Sequence, residues 1–228
     1  MSSGDRSPGA RAVRSWARAL RRLPVFPLPD VVLFPHALLP LHVFEPRYRQ
    51  LTRDVLGSHK LMGVPLLVEQ EVAGALPPRF ATILGVGEVV MAQELPDGRF
   101  NLVLRGRARV RVDQELITDE PYRLVKATEV PDDPPRRPEE LGDAEASLRS
   151  LITGLADALP EGGELLKQVI AAQGTAAELV NVVAAALVAD SGVRQRLLET
   201  TEILARIEAV STEVAAVTAR VGPDRRVN

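Results

Sequence analysis

The side chains in this sequence that could act in acid–base catalysis or bind a metal include its three histidines, His36, His42 and His59. His42 and Glu45 lie three positions apart, but Pro46 follows at once, so the pair falls at the junction of an extended segment and a helix. No H-E-x-x-H motif surrounds them. The chain has no cysteine, which excludes disulfides, thiolate zinc sites and cysteine nucleophiles. The sequence therefore predicts packed or surface histidines and no metal site.

Motifs for hydrolysis are also absent from the sequence. It contains no G-x-x-x-x-G-K-[ST] loop to hold nucleotide phosphates and no G-x-S-x-G nucleophile elbow. Ser58 and Lys60 lie two positions apart, which does not by itself define a catalytic serine–lysine pair. The carboxylates are scattered over helices and loops, with no pair suited to general acid–base work. We expect a protein that is not an enzyme and uses no cofactor.

Four arginines alternate along one predicted strand: Arg105, Arg107, Arg109 and Arg111. They could form a contact surface for phosphate or an acidic peptide. They could equally be a solvated face paired with acids such as Glu88, and we favour this interpretation because exposed ion pairs are common. The net charge of −2 and the pI near 6.0 give no global reason to bind nucleic acid.

The elements that must position these residues begin with a segment rich in proline, LPVFPLPDVVLFPHALLPLHVFEPRYRQLTRDVL, from Leu23 to Leu56. Proline has no N–H to donate, so it belongs at strand starts, sheet edges and turns. The segment predicts short extended stretches at Val25–Leu28 and Leu38–Phe44. A helix should follow, with Pro46 in its first turn and Gly57 at its end.

A run of strands is predicted next, at Leu61–Val68, Phe80–Leu95, Arg99–Val112 and Tyr122–Val130. Pro96-Asp97-Gly98 joins the two longest, and Asp-Gly favours a two-residue hairpin turn. That turn would place Pro96 opposite Arg99 and Glu88 opposite Arg107 across the ladder. Leu102, Leu104, Gly106, Ala108, Val110 and Val112 should share the buried face of the second strand.

A boundary is predicted at Val130–Pro138, where prolines and charges exclude a core. Beyond it the apolar period changes from two to about 3.6, which indicates helices. We predict helices at Glu139–Leu159, at Leu165–Gln173, at Ala176–Ala189 behind a Thr175…Glu178 capping box, and from Ser191 as far as Val221. The first should bury Leu148, Leu151, Ile152 and Leu155, and Asn181 should make a hydrogen bond in the core of the third.

The predicted organisation is therefore an extension at 1–21, disordered or weakly helical around Trp16, then a β-rich half at 22–131 and a helical half at 138–221. A tail at 222–228 completes the chain. Strands first and helices second define an α+β fold with segregated halves. No apolar run reaches the roughly 18–20 residues that a membrane span needs, so we expect a cytoplasmic protein without membrane contact.

Several stretches resemble the N-terminal domain of Lon proteases, the substrate-binding module of those ATP-dependent enzymes. They are VFPLPDVVLFP followed by LPLHVFEPRY, the PDGRFNL turn, and RQRLLE with Arg206 beyond it. The resemblance covers roughly Arg22 to Val221. It implies a PUA-like β pseudobarrel followed by a four-helix bundle, and a stand-alone form without ATPase or peptidase domains.

The resemblance also implies the function: a non-catalytic module that recognises exposed apolar segments of unfolded or client polypeptides. It would hold them or deliver them to a separate protease or chaperone. The alternative is a nucleic-acid-binding module that uses the Arg105–Arg111 strand face, because PUA-like barrels elsewhere bind RNA. Binding with a steep salt dependence would favour the alternative.

Phe34, Leu38 and Leu39 are the candidate substrate-binding residues. Pro35 and Pro40 interrupt a regular ladder around them, and apolar residues on such stiff, irregular backbone could line a groove. A groove of this kind could take an extended or helical apolar segment. In the competing interpretation, these residues cap the open end of the barrel.

Overall fold

The computed structural model describes residues 15–68, 79–135, 138–159 and 161–221. The chain divides into two compact units. One consists of Met1–Leu33 and Leu38–Val130, the other of Phe34–Ala37 and Pro131–Asn228. The start of the predicted extension, most of the predicted loop between the strands ending at Val68 and beginning at Phe80, and the predicted tail at 222–228 lie outside the described residues.

The first unit is a mixed sheet with one long helix. Its elements are β1 (Leu23–Val25), β2 (Leu38–Val43), α1 (Pro46–Leu56), β3 (Leu61–Val64), β4 (Ile83–Glu94), β5 (Phe100–Leu116) and β6 (Arg123–Glu129). The strand order is β2-β5-β4-β3-β1-β6, and β6 also pairs with β5. Five strands therefore close on themselves, while β2 joins the free side of β5 as an edge strand. This closure agrees with the predicted pseudobarrel.

Two glycines of β4 allow the segment around Leu33 to pack directly against the sheet. Gly85 lies on β4 directly against the backbone of Leu33, and a Cβ atom at position 85 would overlap the Leu33 carbonyl group. Gly87 similarly faces the side chains of Leu33 and Leu104. Leu33 is buried in a core cluster with Phe26, Tyr48 and Leu104. Two glycines at alternate strand positions thus provide the space in which Leu33 is buried.

Helix α1 forms as the sequence predicts. Pro46 occupies the first turn, and Gly57 follows the last helical residue. Tyr48, Leu51 and Val55 are buried at helical spacing. Because proline has no N–H to satisfy there, the helix begins immediately after the extended segment without a side-chain cap.

The hairpin register differs from the prediction. Leu95 pairs with Arg99 through the Leu95 N–H at 2.8 Å, so the loop has three residues rather than two. Gly98 adopts a left-handed φ of 78°, as three-residue loops require. A register shift between Val89 and Met91 adds to the longer loop, and Glu88 therefore lies opposite Arg105 rather than Arg107.

The prediction for the residues before β1 left open a disordered or a weakly helical extension. Where they are described, residues 15–20 are helical. Ala19 and Leu20 are buried in a core cluster with Leu23 and Val125, and Trp16 packs against it. The Trp16 indole N–H donates to Glu129 at 2.7 Å. Apolar burial thus fixes this turn to the first unit.

The second unit is helical. Its helices are α2 (Pro138–Ala158), α3 (Gly163–Ala171), α4 (Ala176–Leu187), α5 (Ser191–Glu199) and α6 (Ile203–Val221). Helix α6 packs on α2 and α4. Thr175 caps α4 by accepting from the Glu178 N–H at 3.2 Å, as predicted. Leu148, Ile152 and Leu155 of α2 are buried, but Leu151 is partly exposed, contrary to the prediction.

The fourth predicted helix is two helices. Asp190, not Ser191, caps α5 by accepting from the Val193 N–H at 2.7 Å. Thr200 is extended and ends α5. Its carbonyl oxygen then accepts a hydrogen bond from the buried guanidinium of Arg206 at 2.9 Å. The same guanidinium donates to both carboxylate oxygens of Asp132, at 2.9 and 3.0 Å.

Asn181 is buried in α4, but the predicted core hydrogen bond is not found: among the described residues its Oδ1 has no partner. The α+β class is confirmed, with a sheet-rich unit and a helical unit. None of the helices formed by the described residues is both long enough and apolar enough to cross a membrane.

Candidate functional site

Four apolar side chains lie side by side on the outward face of the first unit's sheet. Pro40 of β2 lies opposite Val103 of β5, and Val103 lies opposite Met91 of β4. Leu38 is two residues before Pro40 and therefore shares its face. Leu38 is 62% exposed and Met91 63% exposed. We call Leu38, Pro40, Val103 and Met91 the outer-face patch.

The edge position of β2 explains why this strand can carry a proline. Strand β2 pairs with β5 over six residues and with no other described strand. A proline is tolerated on an edge strand when its missing N–H would face away from the ladder. Strand alternation places Leu39 and Leu41 on the opposite face, where both pack against the core. The same alternation leaves Leu38 and Pro40 pointing outward.

A β-bulge places Met91 on the outside. Val89 is buried, and residue 91 would share its face in a regular strand. The register shifts between these two residues, and Val90 is left without a partner in the ladder. The extra residue turns Met91 to the opposite face, next to Val103. Sequence alternation alone could not reveal this, because bulges depend on the partner strand.

Helix α1 anchors the hairpin that carries Met91 and Val103. The Arg49 guanidinium donates to the Asp97 carbonyl at 3.1 Å, and Arg53 donates to Glu94 at 3.1 Å. The backbone N–H of Arg99 donates to the Asp97 carboxylate, and this bond lowers the pKa of Asp97. These contacts fix the loop end of the hairpin, which keeps the two strands of the patch in register.

Polar groups border the patch on the β2 side. The His42 Nδ1 atom lies 2.8 Å from the Asn101 Oδ1 atom, and His42 Nε2 lies 3.4 Å from Arg99. Phe44 stacks on His42 with ring centroids 6.3 Å apart and is 61% exposed. An apolar centre with a polar border is the usual composition of a polypeptide-binding surface.

The structure does not bring the three predicted binding residues together. Phe34 is fully buried, so it is not available on a groove. Leu38 and Leu39 are adjacent on a strand and therefore face opposite sides of the sheet. Of the three, only Leu38 lies on an exposed apolar surface, and its role in binding stays a prediction.

The arginine stripe is not a free basic surface. Arg109 is buried, with 3% of its surface exposed. Arg107 forms an ion pair with Glu88 at 3.7 Å, and Arg111 forms one with Asp113 at 3.6 Å. The favoured interpretation, a face paired with acids, thus agrees with the structure, and the nucleic-acid alternative has no support.

The histidines make ordinary contacts. His36 lies 3.7 Å from Glu178, and His59 accepts the Leu61 N–H at 3.1 Å. Burial lowers the pKa of His59. Across residues 15–68, 79–135, 138–159 and 161–221, no three histidine or acidic side chains are arranged to hold a metal ion.

Comparison with known proteins identifies the family. Residues 22–216 match the profile of the substrate-binding domain of the ATP-dependent protease La (LON). The chain belongs to this family, whose relatives carry the domain in larger proteins. It is 31% identical to a Lon protease of Xanthomonas oryzae over 82% of this chain and 22% of the relative. Lon protease 2 of Sorangium cellulosum is 28% identical over 82% of this chain and 24% of the relative. The chain thus spans less than a quarter of their length.

Solved structures with the same fold support this assignment. The N-terminal domain of a Mycobacterium avium complex Lon protease matches with a TM-score of 0.66 at 16% identity, covering 85% of this chain and 98% of that one. A Lon N-terminal domain protein from Xanthomonas campestris matches with a TM-score of 0.58 at 26% identity, covering 84% and 97%. The first of these shows the fold alone.

Proposed function

We propose that this chain is a non-catalytic module that binds exposed apolar segments of other polypeptides through the outer-face patch. The proposal rests on one observation: the exposed residues Leu38, Pro40 and Met91 adjoin the partly buried Val103, which forms an apolar surface across three strands. Contiguous apolar surface on a folded protein is commonly an interaction site. Membership of a substrate-binding family makes a polypeptide the natural ligand.

The chemistry of the patch suits ligands of varied sequence. Burying apolar surface is favourable by about 25 cal/mol per Å² whatever side chains provide it. Methionine adds a flexible, polarisable thioether that adapts to different partners. Such a surface would favour unfolded chains, which expose apolar residues, over folded ones, which bury them.

The bound client could be held or passed to a separate protease. Support for transfer comes from the relatives, in which the domain forms about a quarter of a protein named Lon protease. Affinity purification of the full chain from its source cell tests this. Recovery of a protease or chaperone with the native chain is expected, and recovery of clients alone would favour holding.

The patch is tested with a double variant, Leu38→Ser with Met91→Ser, and an unfolded client. Both side chains are more than half exposed, so the free energy of unfolding should change little. The probe is a fluorescent, reduced and carboxymethylated test protein that cannot refold. We expect the native chain to bind it and the double variant to bind at least about tenfold more weakly, a loss of about 1.4 kcal/mol.

The matched control is Ile117→Ser. Ile117 is fully exposed and lies after the end of β5, outside the patch. This variant should bind as the native chain does. Equal weakening in both variants, or no weakening in the double variant, would show that the patch is not the binding surface.

A further inference from the structure

The first unit also carries a concave surface, lined by residues that do not belong to the outer-face patch. It is a cleft of about 790 Å³ between the helical turn at residues 15–20, helix α1 and the start of β6. This volume is within the usual range for small-ligand sites, roughly 300–1,000 Å³. Neither the family assignment nor the patch accounts for it.

Some of the charged side chains that line the cleft already have partners within the protein. Three arginines (Arg18, Arg21 and Arg22) and two carboxylates (Asp54 and Glu120) line it, so its net charge is one positive. Asp54 accepts from the Tyr122 hydroxyl at 2.7 Å and from Gln50 at 3.0 Å. Glu120 pairs with Arg22 at 3.3 Å. Each acid thus already has a partner within the protein.

The donors that remain point to an anionic ligand. The Arg18 and Arg21 side chains are exposed, and their guanidinium groups make no side-chain hydrogen bond or ion pair within the described part of the chain. His59 accepts the Leu61 N–H on Nδ1, so the proton of its neutral ring is on Nε2. Burial lowers the pKa of His59, which keeps the ring neutral at pH 7. The cleft therefore offers unused N–H donors from Arg18, Arg21 and His59.

The lining of the cleft also suits a ligand with an apolar part. Ala19, Pro24 and Leu124 are buried residues that line the same cleft beside the arginines. A net charge of only one positive suits a single carboxylate better than a polyanion, because Asp54 and Glu120 repel further negative charge. A polypeptide chain that ends in an apolar residue combines one carboxylate with an apolar side chain.

We propose that this cleft binds the C-terminal carboxylate of a client polypeptide, with Arg18 and Arg21 on the carboxylate and the apolar floor under the last side chain. Guanidinium groups bind carboxylates through charge-assisted hydrogen bonds. The proposal rests on the proposed function, because it names a feature of the same clients. It adds a second contact with the client, in which the cleft recognises the C-terminus of the client polypeptide.

Two peptides test it with the full chain. They share one unstructured sequence ending in leucine and carry the same fluorescent label, one as the free acid and one as the C-terminal amide. We expect the free acid to bind at least about tenfold more tightly by fluorescence anisotropy. Arg18→Gln with Arg21→Gln should reduce the affinity for the free acid to that for the amide.

The control variant is Arg105→Gln, which removes an exposed arginine of β5 outside the cleft and should keep the preference for the free acid. N-acetyl-leucine should displace the free acid, and inorganic phosphate should do so less well. Equal binding of acid and amide, or equal competition by phosphate, would overturn this inference and leave the proposed function standing. Binding of neither peptide would overturn both.

Discussion

At the scale of single residues, the second unit contains a charged side chain, Arg206, that is buried. Arg206 has no exposed surface, and both of its terminal nitrogens donate to Asp132, whose side chain is about a quarter exposed. A buried ion pair need not add much net stability, but breaking it leaves one charge without compensation. Breaking the Arg206–Asp132 pair should therefore destabilise the protein more than removing an exposed hydrogen bond would.

Asp132→Ala should lower the free energy of unfolding by about 3–5 kcal/mol, because it leaves the Arg206 charge buried and unpaired. Arg206→Met should cost less, since it removes the buried charge and leaves an acid that can reach solvent. Urea unfolding measures both. The control is Asp133→Ala, which removes one hydrogen bond from Thr201 and should cost about 1 kcal/mol. Equal losses at positions 132 and 133 would contradict the buried-charge account.

A matched pair of glycines tests the close approach within the sheet. Gly85→Ala would place a methyl group on the Leu33 backbone, so we expect a loss of several kcal/mol or failure to fold. Gly142→Ala, in helix α2 with open space around it, should instead stabilise by about 0.5–1 kcal/mol. Thermal unfolding of both variants checks this. A Gly85→Ala protein as stable as the native chain would show that the Leu33 backbone does not pack directly against position 85.

At the scale of elements, the segment Phe34–Ala37 is unusual, because it belongs to the helical unit while its neighbours on both sides belong to the sheet unit. Phe34 is fully buried, and His36 lies 3.7 Å from Glu178 of α4. His36 has a φ of 69°, a conformation that few non-glycine residues adopt. The strained turn is consistent with a segment held in place by burial of its phenylalanine.

Two phenylalanines ten residues apart test this assignment. Phe34→Ala should lower the free energy of unfolding by about 3–5 kcal/mol, as expected for a buried aromatic side chain. Phe44→Ala, at a position that is 61% exposed, should change it by less than about 1 kcal/mol. Denaturant unfolding compares the two. If Phe34→Ala cost no more than Phe44→Ala, the buried role of Phe34 would be wrong.

The sequence predicts elements better than it predicts their details. Helix α1 and the cap of α4 follow from Pro46 and Thr175, because both act through local backbone geometry. The bulge beside Met91 and the burial of Arg109 depend on strands distant in sequence, so no local pattern reveals them. The end of α5 at Thr200 is set by its contact with Arg206, six residues further on. Because the outer-face patch is assembled from three strands, Leu38 is its only residue that the sequence predicts to bind substrate.

At the scale of the whole molecule, the chain has the fold and family of a substrate-binding domain, and we expect no catalysis. The purified protein should neither hydrolyse ATP nor cleave an unfolded substrate, because it has no phosphate-binding loop and no nucleophile motif. Phosphate release and gel assays with the full chain measure both activities. Turnover that follows the protein through purification and disappears with one substitution would contradict this expectation.

The claim that the outer-face patch binds clients is tested most directly at its methionine. Met91 is 63% exposed in the patch, whereas Met62 is fully buried on β3 and provides an internal control. With ¹³C-methyl-labelled methionine, titration of an unfolded test protein should shift the Met91 methyl resonance to saturation and leave that of Met62 unchanged. Saturable client binding that leaves the Met91 resonance unmoved would contradict the account.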